Sequence, residues 1–458
     1  MHSQGAVCKL ETMREPGPVR IKTNFAIAVR IAAAMMLLAP PTAGAQISLS
    51  TAIDLAEKNS PSVRGAAANV QKATAAWQEA KDAYIPNLVM GGNPGYVYGY
   101  PLGYPSLFTA TSQSILLSGS QRDYIRAAHA GVESAALSLK DAQQQVALDI
   151  ALDYVELDHD LKEIAALEEE NGYAESLVRI EQDRVQAGVD PRISELQAEL
   201  TAAQIDEKRI HLENDADAMR QKIGHLTGLP ATGLTTLSSS IPPAPSVSAL
   251  ENIDAQTAPN SPGVSAAYAN AKSKLYTAFG DARQNYRPLV TFGAQYSLFE
   301  KFANYTQYYP NGLQYNNAAL GVVVTFPFFD FTRRAKARES AADAAHARAD
   351  ADASLNILSE QTAAMRGSVR ELTAQQRVAQ VNGELAQEQL RTVETELTNG
   401  TGTQNGPPVS PTQAQKAHIE ERERYEEVLG SDFSLMKVEL NLLRVTGQLD
   451  AWVRSSLR

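Results

Sequence analysis

The sequence predicts a mainly α-helical chain carrying membrane-length β-hairpins, in which one helix, hairpin, long helix and helix unit is used twice. Three observations predict it. Four landmarks recur in one order: Asn59-Ser60-Pro61 returns as Asn260-Ser261-Pro262, Tyr84-Ile85-Pro86 as Tyr286-Arg287-Pro288, Val189-Asp190-Pro191 as Val409-Ser410-Pro411, and Leu226-Thr227-Gly228 as Val445-Thr446-Gly447. A period near 200 residues is too long for a solenoid unit, so it marks an internal duplication. Two proline-free stretches, Arg122 to Val185 and about Arg333 to Leu397, are rich in helix formers, and the first spaces Ile150, Tyr154, Leu157, Leu161 and Ile164 as a coiled-coil seam. Two pairs of strand-like runs precede these helices, with a side-chain period of two.

The elements follow in order. Residues 1–45 read as a secretory signal, with Arg20, Lys22 and Arg30 before an apolar run from Ile31 and a small-residue ending at Ala43-Gly44-Ala45. The only cysteine, Cys8, lies in that segment, so the exported chain would have no disulfide, thiolate metal site or cysteine nucleophile. Formal charge moves from -11 for the whole sequence to about -14 without it, which disfavours nucleic acid as a partner. The first repeat is expected over 46–229, with a hairpin at about 87–117 and coiled-coil helices at about 120–228. Residues 230–259 form a proline-rich linker. The second repeat spans 260–458, with a hairpin at about 289–329 and helices at about 331–446.

Each long helix would reach about 95 to 100 Å at ~1.5 Å per residue. Thr51 to Asp82 and Pro191 to Thr227 would stack end to end along the first, and Gly263 to Asn285 with Pro411 to Thr446 along the second. Pro191 and Pro411 suit a first helical turn, with Asp190 and Ser410 as N-caps. Leu289 to Phe299 and Ala319 to Phe329 have the length to cross a bilayer at a tilt. Their apolar face, Val290, Phe292, Val322, Val324 and Phe326, is expected to meet lipid. Leu88 to Tyr100 and Leu107 to Leu117 repeat the pattern less regularly. Tyrosines at 96, 98, 100 and 104, and Phe302, Tyr305, Tyr308, Tyr309 and Tyr315, form aromatic clusters at the two hairpin ends. Four strands leave two edges that lipid does not tolerate, so several copies must share one barrel.

Ile47 to Pro61, Leu116-Leu-Ser-Gly-Ser-Gln-Arg122 and Phe328-Phe-Asp-Phe-Thr-Arg-Arg334, in order and duplicated, resemble the TolC-like outer-membrane efflux channel family over essentially the whole exported chain. The resemblance implies a homotrimer in the outer membrane, with a twelve-stranded β-barrel continued by a long α-helical barrel in the periplasm. It implies a passive exit duct fed by an inner-membrane pump through a periplasmic adaptor (membrane fusion) protein. It places adaptor contact at the helical tips, at Arg184, Gly188, Val189 and Asp190 and at Gly400, Val409 and Ser410. Where some relatives carry an acidic constriction, this chain has Thr412, Gln413, Gln415 and Lys416, so that gate is not expected. Glu420, Glu421 and Glu423 read as a solvated helix face, and so does Asp158-His159-Asp160. No catalytic motif, cofactor loop or metal-ligand spacing is present in the sequence. The competing reading is a structural or adhesive coiled-coil protein of the cell envelope. Membrane-length hairpins favour the channel, since a stalk has no use for them.

Overall fold

The structure, a computed structural model, describes residues 46–92, 106–243, 261–299, 314–399 and 410–455. The signal expected at 1–45, the second half of the linker, the first aromatic cluster and most of the second lie outside the described residues, as do Gly400 and Val409.

The first repeat runs β1 (Gln46–Ile47), α1 (Leu49–Asn59), α2 (Pro61–Asp82), β2 (Asn87–Gly91), β3 (Ser106–Ser118), α3 (Gln121–Gln186) and α4 (Arg192–Thr227). A short strand β4 (Thr235–Thr236) and a 3-10 turn at Ser238–Ser240 follow. The second repeat runs α5 (Pro262–Gln284), β5 (Leu289–Phe299), β6 (Asn316–Thr325), α6 (Phe331–Asn399), α7 (Pro411–Val445) and α8 (Leu449–Ser455). At 66 and 69 residues, α3 and α6 extend about 100 Å at ~1.5 Å per residue.

Near the sheet the helices pack in the order α2, α3, α5, α6; toward the far end the order is α4, α3, α7, α6. The seam expected on α3 is buried: Ile150, Tyr154 and Leu157 are closed off from solvent, and Leu161 and Ile164 pack against the same cluster as Leu157. Midway along the rod α1, α3, α7 and α8 share one apolar core that includes Leu49, Ile150, Leu440 and Trp452. The linker's start docks here. The Tyr154 hydroxyl donates to Ile47 O at 2.6 Å and accepts from Leu237 N at 2.7 Å, while β1 and β4 pair in parallel. Asp158 accepts from Thr236 at 3.0 Å and Ser238 at 2.6 Å. Asp158 and Asp160 are therefore buried rather than solvated, and His159 packs against Phe433 with ring centroids 4.8 Å apart and planes tilted by 31°.

Three further expectations are corrected. The helix expected from Thr51 to Asp82 is two helices, because Pro61 has no N–H to continue the ladder and instead begins α2. The cap of α4 is Pro191, and Asp190 pairs with Arg184 instead of capping. The last strand is Asn316–Thr325, not Ala319 to Phe329: Pro327 cannot donate to a ladder and restricts the residue before it, so Phe326 lies just past the strand. Ser410 does cap α7, accepting from Gln413 N at 3.3 Å while the Gln413 side chain accepts from Ser410 N at 2.9 Å.

Candidate functional site

Two places can carry function: the sheet and the far tip of the rod. The sheet is antiparallel, ordered β2, β3, β5, β6. Its register sorts the side chains. Val290 lies opposite Val324 and Phe292 opposite Val322, as the alternation predicts, and Leu88, Met90, Phe108 and Leu320 extend that face across all four strands. The other face presents Thr109, Thr111, Gln113, Thr291, Gln295 and the glycine pair Gly293 and Gly321, interspersed with Val89, Ile115 and Val323. None of the four strands contains a charged residue. Leu320 is 77% exposed and Val322 58% exposed in the single chain. The outer edges, β2 and β6, have no strand partner among the described residues. Such a sheet separates a predominantly apolar side from an uncharged side on which hydroxyl and amide groups alternate with a few apolar residues.

At the other end, α3 turns into α4 over five residues. Ala187 N donates to Asp183 O, Gly188 N to Val185 O and Val189 N to Arg184 O, and Gly188 adopts φ +72° to allow the reversal. Arg184 grips the Asp190 carboxylate with two nitrogens, Nη2 standing 3.1 Å from Oδ1. This hydrogen bonding holds the Asp190 carboxyl below the usual range, with smaller help from Glu181 and Lys416. The ion pair's contribution is therefore present above the ordinary carboxylate range and is lost as pH falls through Asp190's depressed value. Val189 projects at the apex and is exposed. The turn thus brings Arg184, Gly188, Val189 and Asp190 together, as expected. Of the second tip only Ser410 is described.

Two tip partners were not legible in the sequence: Glu181, one helical turn before Arg184 and buried, and Lys416 on α7. Nor is the acidic run on α7 uniformly solvated. Glu420 and Glu423 are exposed, but Glu421 is buried and pairs with Arg422. An acidic residue beside an arginine in an i, i+1 pair gives no helical-face signal that would reveal this. Among the described residues no group of carboxylates and histidines has the arrangement of a metal site.

Residues 52–229 match the sequence model of a family described as outer membrane efflux protein, so the match covers the first repeat. No curated protein matches the chain in sequence. Solved structures match nearly all of it. The outer-membrane channel OprN superposes with a TM-score of 0.69 at 15% identity, over 88% of this chain and 90% of that one. The outer membrane protein VceC of Vibrio cholerae gives 0.67 at 16% identity, over 87% and 96%. The open-state MtrE outer membrane channel of Neisseria gonorrhoeae gives 0.68 at 15%, over 88% and 89%. At these identities the likeness is one of fold, and the fold is that of the TolC-like channels.

Proposed function

We infer that this chain, by its fold and by the domain matched in its first repeat, is a member of the TolC-like outer-membrane efflux protein family, and that it is the exit duct of an efflux system. The observation that carries this reading is a wall with two unfinished ends. The sheet has one apolar face, one neutral polar face, no charge and two open edges, and unpaired backbone groups at an edge are costly in lipid. Closing it with further copies of itself satisfies both edges and puts Val290, Phe292, Val322 and Val324 against lipid, with Phe326 at the boundary. The hydroxyl and amide face then lines a lumen.

The helices support the same closure. Each long helix wants a neighbour on both flanks. α3 has α2 and α5 on its two sides near the sheet, and α4 and α7 toward the tip. Among the described residues α6 packs mainly against α5 and α7, and it exposes Val378, Val381 and Leu385 at spacings of three and four. At the other end of the packing order α4 exposes Ile193, Leu196 and Leu200 at the same spacings. The missing neighbours of α6 are α2 and α4 of the next copy. Three copies of a four-stranded wall give a twelve-stranded barrel, and a homotrimer is the assembly proposed.

In this reading the barrel sits in the outer membrane and the rod reaches into the periplasm. An inner-membrane pump supplies substrate and energy, and a periplasmic adaptor protein docks at the tip around Arg184, Gly188, Val189, Asp190 and Ser410, with Gly400 and Val409 on the second tip. The lumen face of the described strands carries no charge, which in this reading leaves selection mainly to the pump. Purification from outer membranes in detergent, followed by mass measurement and conductance in a planar bilayer, tests the reading. A trimer that conducts is the expected result. A monomer recovered from the soluble periplasmic fraction would overturn it.

A further inference from the structure

The strands hand over to the helices along one end of the sheet, where Ser118 lies opposite Leu289 and Leu289 opposite Thr325. The strands carry no charge, but the connecting segments 83–86, 119–122, 285–288 and 326–334 hold Arg122, Arg287, Arg333 and Arg334 against a single acid, Asp330. The whole chain stands at -11, so this belt runs against the protein's overall sign. Arg333 is taken up by Asp330 at 2.9 Å. The acids just beyond the belt are occupied or offset: Asp123 is buried and pairs with Arg283, Asp281 accepts from Tyr124 at 2.5 Å and from Ser340, and Asp82 stands beside Lys81. Among the described residues Arg122, Arg287 and Arg334 have no acidic partner, and all three are exposed.

Two of these guanidinium groups are seated on rings. Arg287 lies 5.7 Å from the centroid of Tyr286, and its stem passes over Gly119, where a Cβ would come within 3.1 Å of Arg287 Cγ. Arg334 lies 5.5 Å from the centroid of Phe331. Phe326, Phe328, Phe329 and Phe331 are between 56% and 86% exposed, and the rings of Phe326 and Phe328 stack with centroids 6.0 Å apart. Aromatic rings, and arginines with an apolar stem and a charged head, suit the layer between hydrocarbon and headgroups. The arginines also stand where the fold alone disfavours them. Arg122 and Arg334 lie in the first turns of α3 and α6, and a helix dipole repels a cation there. A shift of 212 positions carries one onto the other, so both repeats keep a cation at this unfavourable place. An anion shared between guanidinium and helix end would offset that cost.

We propose that this belt is a docking surface for anionic phospholipids, with Phe326, Phe328, Phe329 and Phe331 at the acyl boundary and Arg122, Arg287 and Arg334 on the headgroup phosphates. The inference rests on the membrane placement of the sheet argued above and adds a lipid class to it, on the side from which the rod leaves. The exposed rings favour a lipid over free phosphate, which would leave them uncovered. Pairing of β6 with a further copy uses the backbone at the strand edge and does not call on the arginines.

The test counts lipids on the intact protein. The protein is released from bilayers that mix phosphatidylglycerol with phosphatidylcholine of matched acyl chains, and native mass spectrometry reads how many of each remain bound. Phosphatidylglycerol should be retained in preference, and inorganic phosphate should not displace it. Arg122→Gln, Arg287→Gln and Arg334→Gln should each weaken the preference about fivefold, the equivalent of the ~1 kcal/mol that a basic residue contributes at an anionic surface. Lysine at the same positions should keep most of it. Arg179→Gln, Arg192→Gln and Arg377→Gln, at exposed arginines far along the rod, should leave it unchanged. In the unaltered protein the preference should fade toward about 1 M salt, where the Debye length is about 3 Å, so the outcome does not hang on a variant that fails to assemble. Equal retention of the two lipids, or a preference indifferent to salt, would overturn the belt. Displacement by inorganic phosphate would also overturn it, in favour of a free-anion site. Glutamine variants that lose the trimer yet keep the lipid preference would assign these arginines to the contact between copies instead. A trimer that prefers phosphatidylglycerol but does not conduct would count against the duct and leave the belt standing.

Discussion

Glu439 on α7 is closed off from solvent, and neither carboxylate oxygen has a partner. Burial alone pushes its carboxyl up to about 7. The folded protein therefore prefers the neutral acid; that preference stabilises fully below the ordinary glutamate range and is lost as pH rises through about 7. Replacing Glu439 with Leu removes an unsatisfied polar group from a stretch that also buries Leu435, Leu440 and Leu442, and should stabilise the helical rod by about 1 to 3 kcal/mol at pH near 8. The gain should shrink at about pH 5, where the native side chain is mostly protonated. Denaturant unfolding of the helices at the two pH values reads both numbers, and a gain that grows on acidification contradicts the assignment. At the tip the relevant residue is Gly188. A Cβ there would meet nothing within 4 Å, so the cost of Gly188→Ile is the positive φ alone, on the order of 1 kcal/mol or somewhat more. That is too little to unmake the proposed trimer, which long helical seams would hold. Trimer abundance on unheated gels should stay near normal, while export and adaptor cross-linking from a probe at Gln186 fall. Unimpaired capture and export would move the docking site away from this turn.

At the level of elements, the sheet's two faces differ enough to be told apart by one charge. Val322→Arg puts a guanidinium on the apolar face and should destabilise the inserted assembly by roughly 2 to 4 kcal/mol if the residue lies near the midplane. Gln295→Arg, on the opposite face, should mostly alter conductance. Equal losses of heat-stable trimer from the two variants would mean the faces are misassigned. The alternation that makes this legible in β5 and β6 is blurred in β3, where Ser112 and Ser114 stand on the apolar face opposite Ala294 and Phe292, and where two register shifts interrupt the period. Helix periodicity located α3 and its seam because those contacts lie at steps of three and four along the chain. It missed the break at Ser60, since the alanine-rich pattern continues on both sides of Pro61 without an inserted residue. Local pattern also suggested Asp190 as a cap. The Arg184 pairing that draws it elsewhere depends on the left-handed turn between them, which folds a separation of six residues into contact. The ion pair of Lys208 with Glu426 was beyond reach for a different reason: the two residues sit in opposite repeats, and only the packing of one repeat on the other brings them together.

The duplication extends from sequence to the packing of the helices and implies a register for the proposed contact between copies. A shift of 201 positions carries Pro61 onto Pro262, and a shift of 212 carries Leu116 onto Phe328. Applied together, they carry the edge contact of Trp77 with His129, at 5.2 Å between centroids, onto Ala278 and Ala341, which line one groove between α5 and α6. The α2 and α3 pair and the α5 and α6 pair therefore share one packing register. The remaining internal contact of this kind is α5 on α3, where Ser273 donates to Ala127 O at 2.7 Å. Its counterpart under the same shifts is Lys72 on α2 against Glu339 on α6. Both side chains are exposed in the single chain, and α2 and α6 stand at opposite ends of the packing order. If three copies close with pseudo-sixfold regularity, Lys72 of one copy meets Glu339 of the next, and the charges are opposite. Lys72→Cys with Glu339→Cys, in a chain carrying Cys8→Ser, should therefore form disulfides that link copies to one another and run as covalent dimers and trimers on non-reducing gels. Each single variant should remain monomeric there. The ion pair itself is exposed and worth at most about 1 kcal/mol, so its removal should leave assembly intact and make the cross-link a report on geometry. Trimers of the expected mass in which the paired cysteines stay free would show that the ring closes in another register, with the two repeats no longer equivalent at the seam between copies.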